Sequence, residues 1–277
     1  SNLDGFSLRK MFFNGIPPSR YVMKYDWDNV TDDRYVVSRL VRDIESRNIG
    51  SPFFAFVFLT SSHSGYGYPE SHDIFHPTCM ESSFLLNRYA DPSPLLNRYR
   101  NSLHYIDSLF GEIMSALKQA RLDRNTVMIV TSDHGEEFND RGNGYWGHGS
   151  DFTRHQSLVP LVLYLPGNEQ GLVVTRRSSH IDVAPTILKH LFKCSNVISD
   201  FSNGADLMSL PPHRGLILKS YNRKAYVVDD TVYSEGIPLD IYDLNDMERK
   251  NTKIDYREIR KLKESEGFFV GRGAGRK

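Results

Sequence analysis

Apolar positions recur through the first part of the chain with a period near that of a helix. Val36, Val37, Leu40, Val41 and Ile44 form one stripe, and Thr31 or Asp32 is placed to cap the helix that carries it. A second stripe, Tyr99, Leu103, Ile106, Phe110, Ile113 and Leu117, predicts a long amphipathic helix. Between them lies an unbroken apolar run, Phe53 to Leu59, and a similar run covers 127–131. Runs of this kind suit strands buried on both faces of a parallel sheet. A strand near 158–165 and a helix near 182–193 follow, then two or three antiparallel strands between 214 and 244 with a turn at Asp229 and Asp230. Residues 64–94, rich in Gly, Pro, Ser and His, read as a long loop, and 257–264 as a charged helix before a Gly/Arg-rich tail. The alternation defines the expected class: α/β, a mostly parallel central sheet flanked by helices, with a small C-terminal antiparallel region. The expected boundaries are 1–252 for the α/β domain and 253–277 for the charged helix and tail.

Candidate chemistry gathers where the apolar runs stop. The run at 127–131 delivers Ser132, Asp133, His134 and Gly135 onto a loop, at the sheet edge where open α/β folds bind ligands. A carboxylate beside an imidazole is a donor set that zinc or manganese accepts, and Gly135 permits a sharp turn after it. Phe53–Leu59 runs into Thr60, Ser61, Ser62 and His63, and Gly147 and Gly149 frame His148 loosely enough for its ring to approach a ligand. Singly, a strand-end histidine is ordinarily a hydrogen-bonded structural group. The three histidines and Asp133 together point to a metal or phosphate site. His72, His76, His104, His190 and His213 carry no interpretable spacing and are read as structural.

Ser132 to Glu136, Trp146 to Gly149 and Thr60 to His63 resemble motifs of the alkaline phosphatase superfamily, in the sulfatase-like branch that holds sulfatases, lipoteichoic acid synthases and phosphoethanolamine transferases. Val159 to Gly167 is similar to the strand after that branch's second histidine. His180 to Leu188 is similar to its Asp-Val-Ala-Pro-Thr turn and helix, and Ile241 to Asp246 to its last strand. The resemblance runs from about 50 to 252. It implies a divalent metal (zinc, manganese or calcium) that activates a Thr, Ser or formylglycine nucleophile and stabilises a transferring phosphoryl or sulfuryl group. By position it makes Asp133 and His134 metal ligands. His63 and His148 would hold phosphate or sulfate oxygens, or a second metal. His155 is not expected to participate, and Glu136 and Glu137 would orient ligands or face solvent.

The implied partner is a sulfate or phosphate ester, lipid-linked or on an envelope glycan. The implied location is an extracytoplasmic, periplasmic domain of an inner-membrane protein, anchored through a segment N-terminal to this chain. Family members open with an apolar strand ending in an acidic ligand, and the nucleophile comes later. Residues 1–30 show neither, and Asp4 beside Gly5 reads as a turn. The expectation is therefore a C-terminal portion of a larger enzyme, inactive alone. The hydroxyls at 60–62 are assigned to turns and caps rather than to nucleophilic attack. The alternative is a catalytically silent sulfatase-like domain that senses lipid or lipopolysaccharide, to which the stretches 144–149 and 154–156 are also similar.

Composition narrows the picture slightly. The 277 residues carry 34 basic and 34 acidic side chains, which leaves no electrostatic case for nucleic acid. No apolar run reaches the roughly 20 residues needed to span a bilayer. Cys79 and Cys194 permit one disulfide without establishing it. Phe12, Phe13, Tyr21, Tyr25 and Trp27 crowd the start of the chain, either as packing or as an exposed contact patch.

Overall fold

The computed structural model describes residues 15–22, 28–47, 50–80, 85–149, 151–167, 171–220, 223–236, 239–245 and 247–267. Asp4, Phe12, Phe13, Tyr25, Trp27 and the tail from 268 lie outside these residues. The chain divides into two compact units: Ser1–Thr131, Glu136–Gly147 and Leu161–Glu169 form the first, and Ser132–Gly135, His148–Pro160 and Gln170–Lys277 the second.

The first unit is built on helices α1 (Asn29–Glu45) and α2 (Ser93–Gln119). The α1 cap is Asp28, whose side chain accepts from the Val30 N–H, rather than the expected Thr31 or Asp32. Asp32 and Asp33 go into the interior instead. Val37 packs with Tyr105 and Leu109, and Ile44 with Ala116 and Leu117. Contacts thus advance in the same direction along both helices, which lie side by side and parallel.

The buried face of α2 is Leu95, Asn97, Asn101, Ser102, Tyr105, Leu109, Ala116 and Leu117, while Leu103 of the expected stripe is 41% exposed. Loop hydrogen bonds explain the rotation. The Asn101 carbonyl accepts from the N–H groups of Ile74 and Phe75 at 3.1 and 2.8 Å, and its amide donates to Asp73 and to the Phe75 carbonyl. Asn97 donates to the Pro77 carbonyl at 3.1 Å. The segment 73–77 therefore runs antiparallel to α2 and uses its polar side chains to satisfy main-chain groups that would otherwise be stranded.

Strand β1 (Met128–Thr131) pairs antiparallel with β4 (Leu161–Tyr164), and β2 (Glu137–Phe138) with β3 (Trp146–Gly147). This differs from the expected mostly parallel sheet: every ladder among the described residues is antiparallel. Phe53 to Leu59 is not a strand, and Phe54 is 85% exposed. An apolar run signals burial but carries no direction. Here even the burial is incomplete, since Val130 and Val162, facing each other across β1 and β4, are 40% and 59% exposed.

The second unit holds a short helix α3 (Arg154–Ser157), helix α4 (Val183–His190), a four-stranded meander and a terminal helix α5 (Tyr256–Gly267). The meander orders β5 (Leu216–Lys219), β6 (Lys224–Val228), β7 (Thr231–Ser234) and β8 (Asp240–Asp243) consecutively and antiparallel. Asp229, with φ of 49°, turns the chain between β6 and β7 where the sequence places a turn. Side chains alternate across the sheet. Ala225, Val227, Val232 and Tyr242 pack with Phe152 on one face, and Tyr226 and Tyr233 pack with Ile259 of α5 on the other. Glu266 of α5 binds Lys219 and Lys224, at 2.5 and 2.7 Å. The Cys79 and Cys194 thiols are free.

Candidate functional site

In the second unit the loop Ser132–Gly135 presents Asp133 and His134 to solvent, 58% and 37% exposed. The Ser132 hydroxyl donates to the His134 carbonyl, and the His134 N–H to Asp133 Oδ1 at 3.0 Å. His134 Nδ1 lies 2.8 Å from the Gly135 carbonyl oxygen. A carbonyl can only accept, so Nδ1 carries a ring proton and Nε2 is the nitrogen left to face a ligand. Nε2 sits 3.7 Å from Asp133 Oδ2. Fixing a tautomer through the second ring nitrogen is how a protein prepares an imidazole for metal.

His148 completes this arrangement. Its ring stacks on His134 with centroids 3.9 Å apart and planes 28° from parallel, and ring nitrogens of the two residues lie within 4.8 Å. The glycine frame is pinned rather than loose. Gly147 and Gly149 hold φ of 105° and 87°, backbone that favours glycine. The Gly149 N–H donates to Gln156 Oε1 at 2.9 Å, and its carbonyl accepts from the Ser220 hydroxyl. Two residues on, Asp151 accepts from the Tyr242 hydroxyl at 3.0 Å. Burial and the Asp151 carboxylate push that phenol above its ordinary range.

Gly135 is required by a close approach: a Cβ there would lie 2.0 Å from the His155 carbonyl oxygen. His155 thus acts on this loop through its main chain. His180, unassigned by sequence, has its Nε2 2.8 Å from the Ser132 carbonyl. Its place at the opening of the Asp-Val-Ala-Pro-Thr turn was the available signal. Asp182, fully buried in that turn, accepts from the N–H groups of Ser179 and Ala205 at 2.7 Å each and from Arg214 at 2.6 Å.

In the first unit His63 occupies a turn in which its N–H donates to the Thr60 carbonyl and its carbonyl accepts from the Tyr66 N–H. Asp33 anchors the turn by accepting from the N–H groups of Thr60 (2.9 Å) and Ser61 (2.7 Å). Burial pushes the Asp33 carboxyl up, and these bonds only partly offset it. Glu136 accepts from the Tyr66 hydroxyl at 2.9 Å. Glu137 does not face solvent: it is fully buried, 2.9 Å from Arg141. Of the expected site residues, Asp133, His134 and His148 meet in the second unit, and His63 stands in the first.

The chain thus sets an Asp-His pair and a stacked second histidine on neighbouring loops of an α/β fold. A model of the Sulfatase family matches residues 5–193. The chain belongs to the sulfatase family. It is 28% identical over 152 residues to a low-salt glycan biosynthesis sulfotransferase of Haloferax volcanii, a match covering 54% of this chain and 36% of that one. It is 29% identical over 183 residues to an endo-4-O-sulfatase of Bacteroides thetaiotaomicron, covering 59% and 33%. A solved protein of the alkaline phosphatase superfamily from Vibrio parahaemolyticus superposes with a TM-score of 0.57 at 18% identity, over 91% of this chain and 56% of that one. At that identity the likeness establishes the α/β fold alone. The chain spans about a third of the length of the curated relatives it matches.

Proposed function

We propose that Asp133, His134 and His148 form a divalent-metal centre at which a sulfate ester, carried on a glycan or a lipid head group, is cleaved to alcohol and sulfate. The observation that carries this reading is the His134 ring: Nδ1 is committed to the Gly135 carbonyl, Nε2 faces the Asp133 carboxylate, and His148 stacks on the ring. The donor chemistry fits. Two imidazoles and a carboxylate suit zinc or manganese, whereas calcium takes oxygen ligands.

Bound metal would supply a Lewis acid for the anionic ester and lower the pKa of an attacking hydroxyl. The chain's own groups divide the remaining work. Asp133 and His134 Nε2 serve as ligands, and His148 serves as a second nitrogen ligand or a donor to a sulfate oxygen. Glu136, two residues past His134 in sequence, is the nearest further carboxylate along the chain. His63 is proposed as a second donor to sulfate oxygens. Phosphate esters share the tetrahedral anionic centre and are the competing substrate class.

Calorimetric titration with Zn²⁺ and Mn²⁺ tests the centre directly. The chain should bind close to one equivalent, and His134→Ala should lose at least 100-fold in affinity. Equal binding by the variant, or none by the parent chain, would sink the proposal. Vesicle binding without any metal uptake would favour the lipid-sensing alternative.

A further inference from the structure

We infer that Gln156 is the positioning residue that holds the two histidines in register, an inference that rests on the proposed metal centre. Gln156 is buried, 5% exposed, and uses two separate groups on two separate loops. Its main-chain carbonyl accepts from the Gly135 N–H at 2.9 Å, one residue past His134. Its side-chain Oε1 accepts from the Gly149 N–H at 2.9 Å, one residue past His148. Gln156 is itself fixed by Thr153, fully buried, whose carbonyl and hydroxyl both accept from the Gln156 N–H, at 3.1 and 3.3 Å. One residue thus sets the peptide that follows each ring.

The need for such a tie is local. His148 lies between two glycines at positive φ, where the chain has more conformational freedom than elsewhere. A functional group must be held within about 0.5 Å of its working position. The Gly149 N–H bond supplies that restraint on the His148 side, while the Gly135 bond belongs to the backbone and survives any substitution. Replacing the side chain therefore removes the bond on the His148 side and leaves the main-chain bond to Gly135.

Gln156→Met keeps length and bulk and removes the acceptor, and Gln156→Glu restores an oxygen. Two readouts are taken on the whole chain. Imidazole ¹H–¹⁵N spectra without metal report the ring-current shifts of the stacked rings, with His134→Ala and His148→Ala for assignment. Zn²⁺ titration reports affinity. Q156M should lose the ring-current shifts and about 10- to 100-fold in Zn²⁺ affinity, the usual effect of removing a group that orients a ligand. Q156E should recover both to within several-fold, with unchanged circular dichroism throughout. Should Q156M lose its native dichroism, Q156N, one methylene too short to reach Gly149, takes its place under the same expectations. Wild-type shifts and affinity in the acceptor-free variant would overturn the inference while leaving the metal centre intact. A parent chain that binds no zinc, yet whose ring shifts collapse in Q156M, would overturn the metal centre while supporting the positioning role.

Discussion

Replacing Asp33 tests whether the turn carrying His63 is held from beneath by helix α1. The carboxylate, 1% exposed, accepts from the N–H groups of Thr60 and Ser61, and Ser61 is itself fully buried. Asp33→Ala strands both donors. Each buried donor left without a partner costs about 1–3 kcal/mol, so the gross loss is about 4 kcal/mol. Two terms reduce it. Burial holds the Asp33 carboxyl above its ordinary range, so shedding that charge offsets part of the loss. Alanine is also a better helix former than aspartate by about 0.5 kcal/mol. The net expectation is about 2–3 kcal/mol. Asp33→Asn can keep an oxygen at the Oδ2 position, which both N–H groups reach, loses the Oδ1 contact to Thr60 and sheds the charge, and should cost about 1 kcal/mol. Urea unfolding gives the totals, and hydrogen exchange at the Thr60 and Ser61 amides gives the location. A loss of about 3 kcal/mol there corresponds to roughly 100-fold faster exchange. Unaltered Ser61 protection in the alanine variant would refute the reasoning, as would equal costs for the two substitutions.

Asp206 should confer acid-sensitive stability. Burial pushes its carboxyl up, but hydrogen bonds from Lys189 at 2.8 Å, the Met208 N–H and His190 prevail and hold it at about 2, below the ordinary 3.8. A depressed folded-state pKa stabilises above the unfolded value, and the contribution fades as pH falls through about 2. Asp206→Ala should therefore lose about 2 kcal/mol at pH 7, and the two urea midpoints should converge below pH 2; a gap unchanged from pH 5 to 2 would count against it. Gly135→Ala should cost about 1–3 kcal/mol, because its methyl would sit 2.0 Å from the His155 carbonyl. It should also weaken Zn²⁺ binding by displacing His134, and a variant equal to the parent in both melting temperature and affinity would show that the loop yields freely.

Sequence pattern located helices and strands well where a single apolar face is enough. Both long helices, the Asp-His strand, the strand at 161–164 and the charged terminal helix fall where periodicity placed them. It misjudged the rotation of α2, because Asn97 and Asn101 are buried for hydrogen bonding with a loop about 20 to 30 residues upstream. Hydropathy gives such residues no weight toward the interior. It also misjudged Phe53 to Leu59, since an apolar run records a tendency to leave water and not the presence of a strand partner. The cap at Asp28 was missed for a smaller reason: Asp28, Thr31 and Asp32 all have capping chemistry, and only the main-chain geometry chooses among them.

The candidate site divides along the same line. The proposed donors Asp133, His134 and His148 stand out in the sequence because ligand chemistry resides in residue type, and glycines mark loops tight enough to carry it. The groups that hold those side chains in place are less legible, because most act through main-chain atoms that any residue possesses. His155 supports Gly135 with a carbonyl, and Gln156 receives the Gly135 N–H with another. Ser220 reaches Gly149 from the end of β5, beyond residue 193 where the family match stops. The sheet β5–β8 would look dispensable if judged by motifs alone. Its Ser220 and Tyr242 hydroxyls instead grip the loop of His148 at Gly149 and Asp151. The proposed donors therefore lie within the family match, while part of what holds their loop is built by a region beyond it.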